Sequence, residues 1–122
     1  MQVAVLGLML LAASAPASAQ ELVYEGTWVT TNRKLDGTMT CVVTNVGKDQ
    51  WRGHFSGQWQ GVRFAYTVPF SGPPERLRGT AVIDNADYQW TGTMTTGSPG
   101  WFKGSFTGNR YVGSFTLRQK SK

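Results

Sequence analysis

Residues 76–96 read RLRGTAVIDNADYQWTGTMTT. From Leu77 every second residue is apolar or glycine: Leu77, Gly79, Ala81, Ile83. Arg78 and Thr80 lie between them. After Asp84–Asp87 the alternation resumes as Tyr88, Trp90, Gly92, Met94, with Gln89, Thr91 and Thr93 opposite. A period of two marks a strand with one dry and one wet face. The Asp/Asn cluster between the two runs supplies turn chemistry. The segment therefore reads as an antiparallel hairpin, half buried.

The pattern extends in both directions. Strands are expected over about 24–31, 38–46, 50–56, 61–70, 76–83, 87–96, 101–107 and 110–118, with turn clusters such as Gly57–Gly61 and Gly108-Asn109 between them. One face carries Tyr24 and Trp28, then Met39, Cys41 and Val43, then Trp51 and Phe55, then Val62, Phe64, Tyr66, Val68 and Phe70. Later strands add Phe102 and Phe106, then Tyr111, Phe115 and Leu117. All aromatics except Trp59 and Trp101 fall on this face. The other face holds Thr, Ser, Arg and His54. No segment has helical periodicity. Eight short strands with one apolar face cannot stay open in water, so the fold class is all-β: an antiparallel up-and-down meander closed into a small barrel.

An apolar-x-Gly-x-apolar unit begins at Tyr24, Trp51, Leu77 and Phe102, an internal repeat of about 26 residues, or two strands. It recurs at Trp90 and Tyr111. Glycine on a buried face lets a strand coil sharply, and lets a ring from the next strand lie over bare backbone. If every such glycine is covered, no cavity remains. If not, an aromatic slot opens at one end.

Residues 1–19 are set apart. Val3–Ala13 is an apolar run of about eleven residues, the length of a secretory h-region and too short to cross a bilayer. Ala17-Ser18-Ala19 supplies the small-x-small cleavage pattern, although no Lys or Arg precedes the run. The expectation is a signal peptide over 1–19, a single barrel domain over 20–122, and a secreted or periplasmic protein. Cys41 is the one cysteine, so the fold rests on packing and not on an internal disulfide. It is read as a buried small apolar residue.

Gly26-Thr27-Trp28 on the first strand resembles the calycin superfamily of lipocalins, fatty-acid-binding proteins and avidins. The resemblance implies an eight-stranded barrel with Trp28 at its closed end and a basic residue packed over that ring. Arg118 stands at the matching place in the chain, although alternation points it outward. The avidin layout is nearest in form, through Gly37-Thr38-Met39-Thr40 and Trp51-Arg52-Gly53-His54-Phe55. Thr30, Thr38 and Phe55 stand where avidins carry Asn, Ser and Tyr. A site built to bond a polar ligand loses heavily when a donor is missing, so biotin is not implied. The chain is short for a lipocalin and lacks a helical lid.

Catalytic chemistry is not expected. His54 is a lone histidine on the polar face, and the seven acids avoid the dry face. P-loop, zinc-binding and dinucleotide motifs are absent from the sequence. No metal or cofactor is expected. The reading is a non-enzymatic binding protein that takes a small apolar or aromatic ligand at one end of the barrel, with Trp28, Phe55, Tyr66, Trp90 and Tyr111 as candidate lining. The alternative is an envelope interaction protein with a filled barrel. Its net charge of +5 and an anion patch of Arg52, Arg63, Arg76 and Arg78 would meet acidic glycans or proteins. Nucleic acid is disfavoured, because the aromatics point away from the arginines in an exported chain. Membrane insertion is not expected, since several strands fall short of a bilayer-spanning length. Trp59 and Trp101 are read as turn residues that either stack on sugars or fold over a barrel end.

Overall fold

A computed structural model of the chain describes residues 21–120. The segment read as a signal peptide, 1–19, lies outside the described residues. The strands are β1 (Glu21–Thr30), β2 (Asp36–Gly47), β3 (Gln50–Trp59), β4 (Val62–Ser71), β5 (Leu77–Ile83), β6 (Ala86–Met94), β7 (Trp101–Gly108) and β8 (Tyr111–Gln119). A 3-10 turn, Pro74–Arg76, precedes β5. The strands pair in chain order, all antiparallel, and β1 pairs with β8 to close a barrel. The all-β meander expected from the sequence is the observed fold.

The inward face is the one with the rings. Tyr24, Trp28, Phe55, Phe70, Trp90, Phe102, Phe106 and Phe115 are buried, together with Met39, Cys41, Val43, Val68, Leu77, Met94 and Leu117. Rings lie over glycines of other strands. A Cβ on Gly92 would come within 2.7 Å of Phe102, and one on Gly104 within 2.7 Å of Phe115. Phe70 covers Gly79 in the same way, and Phe106 covers Gly113. A Cβ at these places would collide with the ring that fills the core.

Four hairpins share one end of the barrel: β1 and β2 are joined there through residues 31–35, and the other three by two-residue turns. Gln60-Gly61, Asp84-Asn85 and Asn109-Arg110 all have positive φ at both central residues. Two-residue loops of that kind are type I′ turns, whose twist matches the flanking strands. At the opposite end β2 and β3 are joined through Lys48-Asp49, and two longer connections cover the core. The Tyr24 hydroxyl donates to the Thr95 carbonyl at 2.9 Å, holding the loop before β7. Trp51 Nε1 donates to the Gly72 carbonyl at 3.0 Å, holding the loop before β5.

Two departures from the sequence reading bear on the pocket end of the barrel. The third strand runs to Trp59, not to residue 56, because Gly57 is a strand residue rather than turn punctuation. A Cβ there would meet the Phe64 ring at 2.8 Å. Val62, expected on the dry face, is 67% exposed, since its side of the barrel is splayed open.

The splay has a local cause. β4 and β5 are joined by only two residue pairs, Phe70↔Gly79 and Ser71↔Arg78, whereas β3 and β4 pair from Gln50↔Ser71 to Trp59↔Val62. A two-residue loop makes Trp59 and Val62 a hydrogen-bonded pair, and such pairs recur at every second residue. The even residues of β4 therefore bond β3, and the odd residues face β5. Pro69 is odd and has no N–H to donate. The ladder stops there, leaving a slit between the two strands toward the hairpin end.

In amide exchange, Arg63, Ala65 and Thr67 are expected to exchange about tenfold or more faster than Phe64, Tyr66 and Val68. Equal protection of the two sets, measured by NMR, would contradict an open β4–β5 seam.

Candidate ligand pocket at the open end of the barrel

The slit leads into a pocket of about 320 Å³ at the hairpin end. Trp28, Met39 and Phe106 line it alongside Tyr66, Ile83 and Tyr88. Trp59, Val62, Phe64, Tyr111, Arg63, Asp84 and Asn109 complete the lining. Six of the eight strands send a ring into it, while β2 and β5 contribute Met39 and Ile83, and the two-residue I′ turns are too short to fold across the opening.

The rings order one another. Trp59 stacks on Trp28 with centroids 4.7 Å apart and planes 9° from parallel. Tyr111 meets Trp59 edge-on at 4.9 Å. Phe64 stacks on Tyr66 at 5.4 Å, and Tyr88 on Trp90 at 5.8 Å. Trp28 Nε1 donates to the Gln58 carbonyl at 3.2 Å, which fixes the ring edge. At the mouth the Arg33 guanidinium lies 5.4 Å from the Tyr111 centroid, within cation–π range.

Of the five residues that the sequence nominates as lining, Trp28, Tyr66 and Tyr111 line the pocket. Phe55 and Trp90 do not. Phe55 is fully buried and Trp90 is 2% exposed, both packed beneath the floor at 6.2 Å from each other. Trp59, Phe64 and Tyr88 line the pocket without having been nominated. Trp59 is legible in the chain: its inward direction follows from carrying the β3 alternation past Gly57. Covered glycines and a pocket coexist, because the pocket lies at the end where β4 and β5 diverge.

The four nominated arginines do not form one patch. Arg63 pairs with Gln58 beside the pocket mouth, and Arg52 pairs with Pro69. About six residues of β4 separate those positions, roughly 20 Å of strand. Arg76 and Arg78 instead share a shallow outer groove with Glu75, Thr91, Thr93, Lys103 and Ser105. Trp101 opens β7 on the outer wall, with Lys103 Nζ 4.7 Å and Arg118 Cζ 5.8 Å from its ring. Arg118 thus points outward, as alternation requires, and does not cover Trp28. Trp59 takes that place, and Trp28 sits at the open end rather than the closed one. In both respects the chain departs from what the calycin resemblance implies. His54 Nδ1 lies 3.0 Å from Thr67 Oγ1 on the outer wall.

Burial pushes the phenols up. Tyr24 rises to about 12, through desolvation first and then the nearby Cys41. Tyr66 rises further, through desolvation, then Tyr88, then Cys41. Tyr88 rises through desolvation, against the lowering effect of Asn109, with Tyr111 and Asp84 adding to the rise. Desolvation likewise raises the Cys41 thiol, which is fully buried.

No protein-family model matches the chain, and no curated protein matches it. A solved structure, a de novo design of a fluorescence-activating β-barrel, aligns with a TM-score of 0.61 at 16% identity, covering 80% of this chain and 91% of that one. At that identity the likeness establishes a shared barrel fold.

The phenol shifts set an alkaline limit. Unfolded tyrosines ionise near pH 10. Below that the buried phenols contribute their full stabilisation. Above it the unfolded chain releases protons first, so stability falls as pH rises toward the folded values. Denaturant midpoints are expected to fall only above about pH 10. Absorbance at 295 nm should show part of the tyrosine ionising together with unfolding. Ionisation of every tyrosine in the folded barrel would contradict their burial.

Proposed function

We propose that this chain is a non-enzymatic binding protein that holds a small, flat, largely apolar molecule in the open end of its barrel. The observation that carries the reading is the ring-lined pocket of about 320 Å³, which lies at the small end of ligand-site volumes. Its walls are fixed before any ligand arrives, since Trp28, Trp59 and Tyr111 hold one another in place. Preformed walls lower the ordering cost of binding. The aligned barrel is described as fluorescence-activating, and a pocket that immobilises a planar molecule is compatible with that kind of binding. The outer wall is largely polar, which suits a barrel working in water. Export by a peptide over 1–19 remains part of the proposal, resting on Val3–Ala13 and Ala17-Ser18-Ala19.

A second reading has its own observation. Lys103 belongs both to the groove with Arg76 and Arg78 and to the cation cluster around Trp101. A ring flanked by cations on an outer wall suits an acidic glycan. Such attachment weakens with salt, whereas insertion of a neutral ring does not.

Titration with 1-anilinonaphthalene is expected to give saturable, one-to-one fluorescence enhancement that is insensitive to salt. Trp59→Ala, which removes one wall and leaves the buried core in place, should weaken it about tenfold. Unchanged affinity in that variant, or no enhancement with the parent chain, would sink the pocket reading. Protein recovered from its native host should have an intact mass lacking residues 1–19; a full-length mass would contradict export.

A further inference from the structure

Two half-buried phenols of the pocket lining differ in their partners: Tyr88 is hydrogen-bonded by the Asn109 side chain, and Tyr66 is not. The Tyr66 ring stacks on Phe64 and tilts against Trp90 and Phe55, so the side chain is held from several sides. The Tyr24 hydroxyl has the Thr95 carbonyl as its acceptor. The Tyr66 hydroxyl has no such partner among the described residues, and no hydrogen bond offsets the upward push on its ionisation. It lines the pocket beside Met39, Phe106 and Ile83, none of which carries a side-chain oxygen. Tyr88 lies close enough for its charge to oppose ionisation of Tyr66. The charged residues of the lining, Arg63 and Asp84, are both exposed and belong to the rim.

A half-buried hydroxyl with no protein partner becomes costly once a ligand seals it from water, unless a ligand atom accepts its hydrogen bond. Water can serve it while the pocket is wet, but a purely apolar ring that displaces the water leaves the hydroxyl stranded. A phenol that stays protonated across the neutral range offers a proton. The atom it suits is an oxygen with free lone pairs.

Resting on the pocket reading above, we propose that the ligand is a planar aromatic molecule bearing a carbonyl or phenolic oxygen. It binds oxygen-first, with that oxygen accepting a hydrogen bond from the Tyr66 hydroxyl. Its rings lie among Trp28, Trp59, Phe64 and Tyr88. Its other end faces the slit between β4 and β5, where Asp84, Asn109 and Arg63 accommodate polar substituents. Tyr66 thereby selects among flat molecules that the rest of the pocket does not distinguish.

The test is displacement of 1-anilinonaphthalene by two bicyclic probes, coumarin with a carbonyl and naphthalene without one, on the parent chain and on Tyr66→Phe. The substitution keeps the ring and its packing and removes only the oxygen, so the barrel should fold, which circular dichroism checks. Coumarin is expected to displace the dye about tenfold more effectively than naphthalene from the parent chain. Tyr66→Phe should abolish that preference without weakening naphthalene. Equal displacement by both probes in both chains, with the dye still bound, overturns the oxygen-acceptor assignment and leaves the pocket standing. Failure of the dye to bind the parent chain overturns both.

Discussion

Rings lying on bare backbone are the contact on which this barrel depends. Eight strands of seven to twelve residues must coil tightly enough to meet edge to edge. The interior they enclose is too narrow for large side chains on every inward position. Glycine resolves the conflict by giving up its own side-chain volume, and the neighbouring strand's phenylalanine occupies it. Phe102 over Gly92 and Phe115 over Gly104 are the clearest instances. Each such pair removes a ring from water and permits local curvature, so closure and core formation are one event. With no internal disulfide available to Cys41, this packing carries the stability of the described chain.

Pro69 sets where the closure is incomplete. A proline on the β5-facing side of β4 ends the ladder after Phe70↔Gly79. Beyond it the two strands part, and the slit reaches the pocket lined on one side by Phe64 and Tyr66 and on the other by Ile83. A sheet edge left open in this way is usually a liability for pairing with other chains. Here it is short, and the pocket's rings line it. The paired and the open parts of the β4–β5 seam thus meet at a residue that lacks a backbone donor.

Much of the architecture is legible in the chain. The alternation through Leu77–Met94 assigns the faces, and every apolar residue buried in the core falls on the face read as dry. The pocket is only partly legible. Trp28, Tyr66 and Tyr111 line it, and each is a ring on the dry face. Phe55 and Trp90 satisfy the same condition yet lie beneath the floor. Face is a property of parity along a strand, whereas depth depends on the stagger between strands. The arginine patch fails for the same reason: Arg52 and Arg63 share a wall but lie at different heights.

The sequence by itself determined the strands, the two faces and the presence of glycines that demand a ring from elsewhere, because those follow from a period of two and from the volume of each side chain. The tertiary structure decided which ring covers which glycine, which end of the barrel stays open and which hydroxyl is left without a partner. Those depend on register around a closed circle, where a shift at any one of the eight seams moves every residue beyond it, and no local pattern in a single strand encodes that sum.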